Sequence, residues 1–160
     1  MREAESLARW VYTQTFSSEY APPGPAVLLR RLIGSNRIKV LPVSRATIQR
    51  DRAGFKALIP CGLDPSRLCM ALGSALAGIA AAAGTTEIKL DDDGERKTAA
   101  AIVMPRPALR AAVESLGVRV DQLSAAFVVP ESVALERLRA LGINLASGTY
   151  RLGTAEKNVV

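Results

Sequence analysis

A chain of 160 residues, 49% hydrophobic and 22% charged with a net charge of +6, has the length and balance of one well-packed domain. It contains no histidine, which excludes a Ser-His-Asp or Cys-His nucleophile and any imidazole-ligated zinc site. Its two cysteines, Cys61 and Cys69, are too few for a disulfide framework and read as reduced thiols of a cytoplasmic protein.

The opening Arg2-Glu3-Ala4-Glu5 has no apolar core of signal-peptide type, so nothing here directs secretion. Residues 3–16 place Leu7, Trp10, Val11 and Gln14 at helical spacing and predict an amphipathic helix, stopped by Pro22-Pro23-Gly24-Pro25. Pro25 suits the first turn of a short second helix over 26–33, which Gly34 ends. Arg37-Ile38-Lys39-Val40-Leu41-Pro42-Val43 and Gly54-Phe55-Lys56-Ala57-Leu58-Ile59-Pro60 both alternate polar and apolar residues, predicting an antiparallel pair of strands with its basic residues on the wet face.

The positive excess belongs to this half. The first 60 residues hold ten Lys/Arg against four Asp/Glu, the remainder eleven of each. Arg37, Lys39, Arg45, Arg50, Arg52 and Lys56 form a basic stretch relieved only by Asp51. It reads as a solvated face with a weak, salt-sensitive attraction for nucleic acid or an acidic partner, because aromatic side chains for stacking on bases are scarce.

Asp64 followed by Pro65 is an N-cap with proline in the first helical position, and it launches an apolar helix over 66–83. Leu68, Met70, Leu72, Leu76 and Ile79 leave little of its circumference polar, so it should be the axis of the core. Gly73, Ser74 and Gly78 interrupt it, and it falls short of the ~20 residues of a spanning helix, so no membrane segment is expected. Thr85-Thr86-Glu87-Ile88-Lys89-Leu90 is a third strand candidate. Asp91-Asp92-Asp93-Gly94 reads as a solvated acidic turn, lacking the ligand spacing and closing glutamate of a calcium loop. Helices are predicted over 95–103, 107–116, 121–128 and 131–141. The expected class is α+β: a small antiparallel sheet packed on a helical layer, with a helix-turn-helix-like C-terminal part.

Glu95-Arg96-Lys97-Thr98-Ala99-Ala100-Ala101-Ile102-Val103-Met104-Pro105, followed by Ala108-Leu109-Arg110, resembles the second signature of the ImmA/IrrE family of zinc metallopeptidases: a glutamate, small residues, then an "LLMP"-like ending. Leu123-Ser124-Ala125-Ala126-Phe127-Val128-Val129-Pro130, with Leu135, Arg137-Leu138 and Leu141-Gly142-Ile143, looks like that family's helix-turn-helix-like tail. Arg67 to Leu76 is similar to the helix that carries the family's His-Glu-x-x-His motif.

The resemblance implies a metallopeptidase-like domain over 1–105, a helical tail over 106–145 packed on it, and an extension over 146–160. It puts Leu72 and Leu76 in the places of the two histidine ligands, Gly73 in that of the catalytic glutamate, and Glu95 beside that of the third ligand. A degenerate member, or pseudoenzyme, is therefore implied, with no catalytic residue, metal or cofactor. Active members of the family cleave repressors. The implied role is thus an inactive regulatory protein that binds another protein, a transcriptional repressor or regulator in a bacterial or mobile-element circuit. Two readings compete with it: a DNA-binding regulator using 121–141 with the basic stretch, and a structural subunit of an oligomer. The predicted last helix begins Glu131-Ser132, carries Glu136 and keeps Arg137 and Arg139 toward its far end, which suits contact with a protein partner better than entry into a major groove.

Overall fold

A computed structural model describes residues 2–16, 38–41, 47–51, 54–82 and 91–143. Their elements are α1 (Arg2–Phe16), β1 (Ile38–Leu41), β2 (Thr47–Asp51), β3 (Gly54–Pro60), α2 (Pro65–Ala82), α3 (Asp92–Val103), α4 (Arg106–Leu116), α5 (Val120–Phe127) and α6 (Glu131–Ala140). The expected short helix over 26–33, the strand candidate over 85–90 and the extension over 146–160 lie outside the described residues.

The expected class is overturned, because the described residues are mostly helical and form no antiparallel layer. Among the described residues three short strands form a small mixed sheet with β3 in the middle. β1 runs parallel to β3, Ile38 opposite Ala57 and Val40 opposite Ile59. β2 runs antiparallel to it on the other side, Ile48 opposite Ala57 and Arg50 opposite Phe55. Alternation specifies which residues share a face and leaves strand direction open. The hairpin partner of β3 is the strand nearest in sequence, Thr47–Asp51, whose pattern is masked by its charged residues. With that edge taken, β1 pairs along the other one and in the opposite sense from the expected hairpin.

Apolar side chains gather in two clusters that meet at α2 and α3. The first joins Leu7, Val11 and Tyr12 of α1, Ala57 and Ile59 of β3, Leu72, Leu76 and Ile79 of α2, and Ala101 and Ile102 of α3. The second joins Cys69 of α2 and Val103 and Met104 to Leu109, Val120, Leu123, Phe127, Ala134 and Leu138 of the last three helices. The helix α2 is long and apolar enough to cross a membrane by length and composition, and here it packs against α1, α3 and β3. Its start follows the expected chemistry. Asp64 Oδ1 accepts from the Ser66 and Arg67 amides at 3.0 and 3.1 Å and from the Ser66 hydroxyl at 2.7 Å, satisfying donors that the first turn leaves free.

The aspartate triplet is not a turn. Asp91 caps α3, its Oδ1 accepting from the Gly94 amide at 2.7 Å, and Asp92 and Asp93 occupy the first helical turn. Carboxylates are favoured there by the partial positive charge of the unpaired amides, so the helix starts three residues earlier than its apolar periodicity suggests. In the tail, α5 ends on Val128 in the left-handed conformation (φ 53), and Pro130 precedes α6. The α5–α6 pair expected from the sequence is present, and α6 also packs against α3.

Candidate functional site

Of the positions to which the resemblance assigns the motif, Leu72, Gly73 and Leu76 lie inside. Leu72 is 1% and Leu76 5% exposed, both within the first apolar cluster. A Cβ on Gly73 would stand 3.0 Å from the Ala99 carbonyl oxygen and 3.0 Å from Val103 Cγ1, so α2 and α3 approach each other through this glycine. Glu95 is half-buried in the first turn of α3, one turn before Ala99 and on the same side of the helix. Hydrocarbon and backbone surround Leu72, Gly73 and Leu76, and their side chains offer no nitrogen, sulfur or carboxylate donor. The residues do not fit the zinc that the resemblance implies for active relatives. Among the described residues no three of His, Cys, Asp or Glu gather as a metal site. Cys69 is buried too, and burial pushes its thiol up to about 11, whereas Cys61 is exposed.

The basic stretch is divided by the sheet. Lys39 opposite Leu58 and Gln49 opposite Lys56 occupy one face, by their register positions. Arg50, opposite Phe55, falls on the other, which also carries the fully buried Ala57 and Ile59. By register, Arg50 and the pair Lys39 and Lys56 therefore stand on opposite faces of the sheet. Arg37, Arg45 and Arg52 lie outside the described residues.

Arg137 and Arg139 part company as well. Arg137 was expected at a partner surface and is 4% exposed, on the side of α6 that also buries Ala134 and Leu138. Its Nε donates to the Met104 carbonyl at 3.1 Å, at the C-terminal end of α3, where carbonyls lack helical partners and attract cations. Its Nη1 forms an ion pair with Glu5 Oε1 at 2.6 Å, without the alignment of a hydrogen bond. Its Nη2 meets no acceptor among the described residues. Arg139 is exposed and belongs to no ion pair among them.

Around Arg137 lies a cleft of about 450 Å³ between α1, α3 and α6, with Asp93, Arg96, Lys97, Glu136, Arg137 and Arg139 as its polar lining. Arg96 bridges two helices, Nη1 to Glu136 Oε1 at 2.9 Å and Nη2 to Asp93 Oδ1 at 3.3 Å, while Lys97 donates to Asp93 Oδ2. Lys97, followed by Arg96, holds the Asp93 carboxyl below its ordinary range. Both lining carboxylates are thus already engaged by cations and Arg137 by Glu5, which leaves the charge of Arg139 in surplus. Asp93, Arg96, Lys97 and Glu136 escaped the sequence reading as a site. The Asp93–Arg96–Lys97 spacing was visible as a helical charge pattern, but Glu136 joins it only through the packing of α6 on α3.

No protein-family profile matches this sequence, and no curated protein is detectably similar to it.

Proposed function

We propose that this chain is a non-catalytic regulatory protein that binds another protein, a transcriptional regulator of a bacterial or mobile-element circuit, as the ImmA/IrrE-like order of its elements implies. The observation that carries the reading is the contact at Gly73, flanked by buried Leu72 and Leu76. Where the resemblance puts metal ligands and a catalytic carboxylate, two helices press together through carbon and backbone. Burial of Arg137 favours this reading over a DNA reader, since a recognition helix needs its polar side chains free for base edges and phosphates.

The test uses the full-length protein and the transcriptional regulator encoded nearest to its gene. Light scattering should show a stable complex with the regulator left intact, and elemental analysis after dialysis against zinc should show no stoichiometric metal. One tightly held zinc per chain, cleavage of the regulator, or no complex at micromolar concentration would overturn the proposal.

A further inference from the structure

We infer that the cleft between α1, α3 and α6 is a binding site for a small molecule bearing a compact oxyanion, a phosphate or a carboxylate, anchored by the buried guanidinium of Arg137. A guanidinium carries five N–H donors in a rigid fork and demands acceptors when removed from water. Here Nε has the Met104 carbonyl, Nη1 has one oxygen of Glu5, and Nη2 has no acceptor among the described residues. The donors left to a ligand are those of Nη2, and a hydrogen bond from a charged donor to an oxyanion is roughly twice as strong as one between neutral groups.

The surroundings agree in charge and in size. Four cationic side chains line the cleft against the carboxylates of Asp93 and Glu136, each already held by Arg96 and Asp93 by Lys97 too, and Glu5 stands on Arg137 as a third carboxylate, so the surplus is one positive charge. Arg139, exposed and outside any ion pair among the described residues, adds charge with no counterpart. Small apolar walls, Ala4, Ala100, Val133 and Ala140, leave a volume of about 450 Å³, within the range of small-molecule sites. The inference does not rest on the pseudo-peptidase reading: a chain that binds the anion and ignores the regulator, or the reverse, separates the two.

The experiment is calorimetric titration and thermal melting of the full chain with inorganic phosphate and, separately, with succinate, at constant ionic strength set by sodium chloride. Saturable binding of at least one of them with a rise in melting temperature is expected, and the preferred probe distinguishes phosphate from carboxylate. The Lys97→Ala, Arg139→Ala double variant, altered only at exposed side chains, should melt as the unaltered chain does and bind at least tenfold more weakly. Arg137→Lys, which keeps the charge and loses the unpartnered Nη2, should abolish binding; if it fails to fold, the double variant still decides. No saturable binding of either anion, or undiminished binding by the double variant, would overturn the inference.

Discussion

At Gly73 two effects of an added methyl group oppose each other. Replacing glycine by alanine inside a helix stabilises it by roughly 1 kcal/mol through backbone entropy. The same methyl would stand 3.0 Å from the Ala99 carbonyl oxygen, a backbone atom that cannot rotate aside, and 3.0 Å from Val103 Cγ1. Overpacking of this kind costs about 1–3 kcal/mol, so the steric term wins. Gly73→Ala is expected to lower the unfolding free energy by up to about 2 kcal/mol in a urea titration. An increase in stability would mean that α2 and α3 part easily at this point.

The helices show what local chemistry can and cannot specify. Along α2 the N-cap Asp64, Pro65 and the leucine spacing all lie within a few residues of the structure they determine, and the element was legible from them. The partners of β3 were not, because alternation in Gly54–Pro60 fixes a face and says nothing about which strand lies beside it. The start of α3 was misread for a related reason: Asp-Asp-Asp-Gly serves a loop or a helix N-terminus equally well until the downstream helix is seen to need a cap. Arg137 was illegible as a buried residue, since its acceptors come from Glu5 and Met104, far off in the chain. A pH test follows at the α2 cap. The Ser66 hydroxyl, then the Arg67 amide, holds the Asp64 carboxyl below its ordinary 3.8 in the folded chain. A depressed folded value contributes stability above the unfolded value, and that contribution is lost as pH falls through the folded one. Asp64→Ala should therefore melt at a lower temperature than the unaltered chain at pH 7, and the gap should shrink below pH 3.8. A gap independent of pH would show that the carboxylate charge plays no part in the cap.

At the largest scale, the first and last of the described helices are bound to each other and to α3 between them. Glu5 of α1 pairs with Arg137 of α6, and the Tyr12 hydroxyl donates to the Ile102 carbonyl at 2.6 Å. The boundary expected after residue 105 passes through the second apolar cluster, separating Cys69, Val103 and Met104 from Leu109, Leu123 and Leu138. A chain cut after residue 105 should lose cooperative thermal unfolding, because it exposes that apolar face and strands Glu5. A sharp transition at the full chain's temperature would show instead that the first 105 residues fold alone.

The bond from Tyr12 to Ile102 spans 90 positions, and the partner of Glu5 emerges later still. During synthesis at about 5–20 residues per second, α1 leaves the ribosome roughly ten seconds before α6 exists to receive its carboxylate. Leu7, Val11 and Tyr12 meet their apolar partners in β3, α2 and α3 before then, so what waits for α6 is the charge of Glu5. The nascent chain thus closes its first apolar cluster around α1 while the Glu5 carboxylate still lacks its guanidinium, and the ion pair is the later of the two long-range contacts to form.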